Sequence, residues 1–197
     1  LFTYEQYSAA LEAFESVINA GESIFQANAY YMHGWSQFKK SNYAFALISY
    51  TRVLDLLLLD DKEEDLTQME RIEQKHQTLI KDLLRVMSLS FSYLGGVDSL
   101  AQLFNQTGTK DYETLVYQAY GDFLLDKEQY SDAIAVYKAY IAAHPLSIWS
   151  PNYQMKVLET LRQAGFIRDI YDEKVRFVLI YGVKEEYWGF HEALTLE

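Results

Sequence analysis

Apolar positions recur along this chain with the spacing of amphipathic helices, and three stretches share one pattern. Tyr7, Ala10, Phe14 and Val17 match Tyr43, Ala46, Tyr50 and Val53, and both match Tyr130, Ala133, Tyr137 and Tyr140. Each set has the spacing i, i+3, i+7, i+10, which is one face of a 3.6-residue period. Two of these helices are preceded by another helical pattern. Tyr30, Gly34 and Phe38 precede the second set, and Tyr117, Tyr120, Gly121 and Leu124 precede the third. The offset from Gly34 to Ala46 is 12 residues, and so is that from Gly121 to Ala133. Small residues at matched offsets let two antiparallel backbones approach closely, with the bulky Tyr50 or Tyr137 filling the space beyond. Pro145 cannot continue the last of these helices and ends it.

These pairs resemble tetratricopeptide repeats (TPR), helix–turn–helix units of about 34 residues. The resemblance is carried by residues 4–19, 27–54 and 117–145 and is weaker over 60–106 and 150–181. The implied fold is an all-α right-handed superhelical solenoid of about ten helices in about five units, forming one domain over residues 1–197. The first unit has only its second helix, so the array reads as truncated, an excised piece of a longer protein.

The third unit diverges. Tyr43 to Val97 is 54 residues, which leaves roughly 20 inserted against one repeat. Leu66, Met69, Ile72, His76, Leu79 and Leu83 keep helical spacing, predicting one long helix from Glu63 to Tyr93 that turns at Gly95-Gly96. The acidic run Asp60 to Asp65 opens it and complements the helix dipole. A shorter helix from Val97 to Gln106 follows, with Leu100, Leu103 and Phe104 facing inward. Leu100 replaces the alanine of the other units, so this pair should be splayed. A fifth unit spans Pro151 to Tyr181, with Met155, Val157, Leu158 and Leu161 on its first helix and Ile167, Ile170, Val178 and Leu179 on its second. Glu185 to Leu196 reads as the first helix of a sixth.

Charge and composition narrow the function. The net charge of −11 argues against a nucleic-acid partner, which needs clustered Lys and Arg, and against charge-driven binding to anionic lipid. A basic or mixed peptide partner is allowed. Without cysteine there is no disulfide, thiolate metal site or Cys nucleophile. No apolar run is long enough to span a membrane. His191-Glu192 lacks the second histidine of a zinc-protease helix, and Gly95-Gly96 lacks the Lys of a phosphate loop. His33 reads as a core or rim histidine and not as a ligand. No catalytic set, metal site or cofactor is nominated.

The family resemblance implies that the first helices line a concave groove. Its groove positions fall on Asn28, Tyr31, Trp35, Phe38 and Lys39 in the second unit. In the fourth they fall on Leu115, Gln118, Asp122, Leu125 and Asp126, and in the third on Arg85, Leu89 and Tyr93. Trp35 and Tyr31, beside Lys39 and Arg85, would anchor an extended peptide or a helix. The alternative is that Trp35 packs under a neighbouring helix. Chaperone-binding members of the family grip a terminal carboxylate with a Lys/Asn/Lys/Arg set. Tyr31 and Trp35 stand where Lys and Asn would be, so that function is not carried over.

The expected function is a non-enzymatic scaffold that binds a protein or peptide. The resemblance points further, to large bacterial cell-envelope proteins and a periplasmic or envelope location. A second expectation is self-assembly, with Tyr7 and Phe14 at one end and Tyr187, Trp188 and Phe190 at the other stacking into homo-oligomers. A third is a helical enzyme acting on glycans, which would need a buried carboxylate of raised pKa in its cleft.

Overall fold

The computed structural model describes residues 6–21, 23–58, 74–182 and 187–189. Among these it has nine helices and no strand. They are α1 (Tyr7–Asn19), α2 (Gln26–Lys39), α3 (Tyr43–Leu58), α4 (Gln74–Leu94), α5 (Val97–Thr107), α6 (Glu113–Leu125), α7 (Tyr130–Ala143), α8 (Ser150–Gln163) and α9 (Ile167–Tyr181). The chain divides into two compact units, Leu1–Ala119 and Tyr120–Glu197, and the division falls inside α6.

In the first unit helices pack on their sequence neighbours, α1 on α2, α2 on α3 and α3 on α4. This sequential packing is that of an all-helical, solenoid-like chain. Its core runs through Ala46, Leu47, Tyr50, Val53, Leu54 and Leu58 of α3, all essentially inaccessible to water. Each such Leu or Val contributes about 1.5–3 kcal/mol by leaving water. α5 rests on α4 and α3 over a shorter stretch. Leu100, Leu103 and Phe104 are buried, as their spacing requires. Gly95 and Gly96 make the α4–α5 turn at φ 137° and 68°, and both N–H groups bond the Phe91 carbonyl. Glycine is the residue that enters this region without a Cβ penalty.

The glycines inside α2 and α6 have a different task. A Cβ built on Gly34 would lie 2.7 Å from Cδ1 of Tyr50, and one on Gly121 would lie 2.6 Å from Cζ of Tyr137. No real Cβ approaches a carbon so closely. The glycine therefore leaves a seat on the first helix, and the tyrosine ring of the second helix occupies it. Ala46 and Ala133 are fully buried one turn earlier on the same helices. The aromatic plug thus sits directly on the glycine and not merely beyond it.

The turns after these helices also coincide. Asn42 N–H bonds Gln37 O and Gln129 N–H bonds Leu124 O, each at 2.9 Å. Ser41 (φ 62°) and Glu128 (φ 57°) occupy the left-handed position. Between α8 and α9 the bond runs from Phe166 N–H to Leu161 O at 2.9 Å, and Gly165 takes the left-handed place at φ 72°.

In the second unit α7 packs on α8 and α8 on α9. α6 starts at Glu113, where the carboxylate accepts the Lys110 N–H at 3.0 Å and closes the first turn. Two expectations change in this unit. On α8, Val157 and Leu161 are buried but Met155 is exposed. On α9 the orientation differs more. Ile167, Val178 and Leu179 are 78%, 65% and 66% exposed, while Glu173 and Tyr181 are buried. Glu173 accepts a hydrogen bond from Gln154 Nε2 at 2.6 Å and an ion pair from Lys138. A buried carboxylate is tolerated only when paired in this way, and the pairing fixes which face of α9 points inward.

Part of the long helix expected from Glu63, with the acidic run and Leu66, Met69 and Ile72, lies outside the described residues. So does most of the helix expected from Glu185. Within it, Tyr187 is buried, 4.9 Å edge-on to Tyr181, and its hydroxyl donates to Ser147 O at 2.5 Å. Tyr187 is thus committed to its own chain and is not part of an open stacking edge. Burial pushes its phenol up to about 12.

Candidate functional site

The residues nominated on α2 lie along a strip of aromatic rings. Tyr31, Trp35 and Phe38 share one face because they are four and three residues apart. Their centroids are 6.5 Å (Tyr31 to Trp35) and 5.5 Å (Trp35 to Phe38) apart, both edge-on. Phe38 continues the strip to Tyr43 of α3 at 5.3 Å, and Tyr43 stacks on Tyr93 of α4 at 4.9 Å with planes 20° apart. Trp35, Phe38 and Tyr43 are half-buried, whereas Tyr93 is 62% exposed. Lys39 is exposed, with its ammonium 5.9 Å from the Trp35 ring. Trp35 is therefore flanked by rings on both sides but not enclosed under a neighbouring helix.

Asp82 of α4 closes the other end. Tyr31 donates its hydroxyl to Asp82 Oδ2, and Arg85 makes a two-pronged contact with Oδ1 at 2.6 and 3.1 Å. Burial alone would raise the Asp82 pKa. The Tyr31 hydroxyl and the Arg85 guanidinium outweigh it and hold the carboxyl below its ordinary value. The same burial, with the bond to Asp82, raises the Tyr31 phenol. Sequence reasoning named Tyr31 and Arg85 but missed Asp82, whose place three residues before Arg85 was the available signal. The interaction makes Arg85 part of the site's frame and leaves Lys39 as its open cation.

Not every nominated residue joins the strip. Asn28 is exposed at the N-terminal end of α2, and Leu89 is half-buried on α4. On α6, Leu115 is buried in the core and Gln118 is exposed. Asp122 is held by its own unit, since it accepts the Tyr137 hydroxyl at 2.9 Å and the Lys156 ammonium at 3.0 Å. Leu125 is half-buried and Asp126 exposed. His33 bridges three helices, with Nδ1 2.8 Å from Ser49 Oγ and Nε2 3.5 Å from Glu15.

A polar recess also lies in the first unit. Thr51, Arg52, Asp55, Gln106, Thr107 and Lys110 line a cavity of about 270 Å³. Asp55 accepts the Tyr112 hydroxyl at 2.5 Å and the Lys110 ammonium at 3.0 Å, so its charge is already compensated. Among the described residues no group of three or more His, Cys, Asp or Glu is arranged to hold a metal ion, and no helix is long and apolar enough to cross a membrane. The chain matches no family model and none of the curated proteins with which it was compared.

Proposed function

We propose that this chain is a non-enzymatic scaffold that binds an extended peptide or helix of another protein along the α2–α4 aromatic strip. The observation that carries the reading is the half-exposed run Trp35–Phe38–Tyr43–Tyr93, held rigid by ring contacts and bordered by the open ammonium of Lys39. Rigid aromatics give contact area at small entropic cost and are the residue types that dominate binding energy at interfaces. Lys39 adds a contact for a carboxylate or carbonyl of the partner. The close glycine–tyrosine seats support assignment of the helix pairs to the tetratricopeptide type, with the strip on the concave side of a right-handed array of about five units. The further placement in a bacterial envelope or transport assembly rests on that family resemblance.

A dodecapeptide display library panned on the chain tests the site. Trp35 and Tyr93 are the residues to change, because Tyr31 is tied to Asp82 and its loss would disturb the frame. We expect selected peptides to bind Trp35→Ala/Tyr93→Ala at least about tenfold more weakly, the loss of one good aromatic anchor, with an unchanged far-ultraviolet spectrum. Equal binding by the folded double variant would move the site elsewhere.

A further inference from the structure

The charge around the aromatic strip opposes that of the chain as a whole. The sequence holds 28 acidic residues against 17 basic ones. Helices α2 to α5 reverse the balance, with Lys39, Lys40, Arg52, Lys75, Lys81 and Arg85 against Asp55, Asp82 and Asp98. Two of these carboxylates are already compensated, Asp82 by Arg85 and Tyr31, and Asp55 by Lys110 and Tyr112. Asp98 sits in the first turn of α5, where the helix dipole favours it.

Position on the helices decides which cations the strip can use. At about 100° per residue, Lys39 lies about 40° round α2 from Trp35, on the strip's side. Lys40 lies about 140° away and donates to Ser8 of α1, and His33, which meets Glu15 of α1, lies about 160° away. The carboxylate that α1 brings to α2 is thus on the other face. On α4, Lys81 is exposed one turn before Arg85 and on the same side. Arg85 spends Nε and one Nη on Asp82, and the rest of its fork stays at the surface. Tyr31 meets Asp82 at one end of the strip, and Phe38 lies 6.2 Å from Tyr93 at the other. The strip therefore has Lys81 and Arg85 at its first end, Lys39 at its second, and rings between them. Tyr31 to Lys39 spans about 12 Å of helix, as does Arg85 to Tyr93.

We propose that the partner segment is acidic, with an apolar or aromatic centre and Asp or Glu on both sides of it. The centre lies on Trp35, Phe38, Tyr43 and Tyr93, and the carboxylates meet the cations at the two ends. In an extended segment the 12 Å between those ends is about four residues. The charge of the whole chain favours a basic partner, but the charge next to the rings selects the opposite one. The inference rests on the α2–α4 peptide reading and names the class of partner.

The test is the charge of the peptides that a dodecapeptide library yields on the full chain at low salt. Selected peptides should carry Asp or Glu on both sides of an apolar or aromatic centre. They should bind at least about tenfold more weakly in 300 mM salt than in 50 mM. Lys39→Glu/Lys81→Glu, with an unchanged far-ultraviolet spectrum, should bind them at least about tenfold more weakly still and prefer the same peptides with Lys in place of the acids. Arg85 is left in place because it frames Asp82. Peptides that depend on Trp35 and Tyr93 but are neutral or basic, or that ignore the two charge reversals, overturn the acidic partner and leave the strip standing. An acidic peptide that gains nothing over its Gln counterpart does the same. That result is expected if the seven carboxylates of residues 60–73, which lie outside the described residues, already meet these cations. Peptides indifferent to Trp35→Ala/Tyr93→Ala, or a library that yields no binder, overturn both readings.

Discussion

The pairs α2–α3 and α6–α7 share a glycine seat and a turn and differ in what the seated tyrosine hydroxyl meets. In both, a tyrosine ring lies on a glycine, an alanine sits one turn before the tyrosine, and the connecting turn has the same bonds. The residue after the glycine is Asp122 in one and Trp35 in the other. The Tyr137 hydroxyl donates to Asp122 at 2.9 Å, whereas the buried Tyr50 hydroxyl has no hydrogen-bond partner. The position after the glycine is thus a structural acceptor in the second pair. In the first it is released from that duty and carries the central ring of the aromatic strip. A surface residue becomes free for a partner when the core beneath it stops using it, and an unsatisfied hydroxyl is what that release leaves behind.

The shared part of the comparison carries the largest effect. Gly34→Val and Gly121→Val put branched carbons where a fully buried ring already sits. Each should destabilise its unit by about 3 kcal/mol, the upper range for overpacking. Urea unfolding followed by tyrosine fluorescence measures both. Similar losses at the two sites are expected because the two seats are similar. A variant that keeps its stability at either site breaks the equivalence of the pairs.

The polar difference is smaller and should split the pairs. Tyr137→Phe removes a hydrogen bond to a carboxylate and should cost about 1 kcal/mol, at the low end for charged acceptors because Asp122 is 47% exposed. Tyr50→Phe removes a buried hydroxyl that bonds nothing and should change stability by less than about 0.5 kcal/mol in the unfavourable direction. Thermal unfolding of the two variants side by side decides the matter. Equal losses would mean that Tyr50 is as well satisfied as Tyr137.

What the sequence disclosed and what it concealed follow the same division. The seats were legible, because close backbone approach demands small residues at fixed offsets and a ring opposite them. Leu100, Leu103 and Phe104 were legible from period alone. Within the candidate site, Tyr31, Trp35 and Phe38 could be placed on one face by spacing. Their union with Tyr43 is a matter of tertiary packing. Asp82, Asp55 and Glu173 were not legible. A carboxylate in a chain with 28 acidic residues acquires meaning only from the donor that the fold brings to it. The inward face of α9 escaped for that reason, since its apolar period pointed one way and the Glu173 pairing turned it the other.

The connecting turns give the finest discrimination. Ser41 and Glu128 hold φ near +60°, where a Cβ crowds the following carbonyl at a cost of about 1–2 kcal/mol. Gly165 fills the corresponding place in the α8–α9 turn without that strain. Ser41→Gly and Glu128→Gly should relieve it. The greater freedom of glycine in the unfolded chain returns about 0.4–1 kcal/mol of the gain. The net expectation is a stabilisation of about 0.5 kcal/mol at each position, with Gly165→Ala losing a comparable amount. Urea midpoints measured at constant slope resolve changes of this size. If Ser41→Gly stabilised while Glu128→Gly did not, the two turns would differ in strain despite their matching bonds, and the likeness of the pairs would end at the glycine seat.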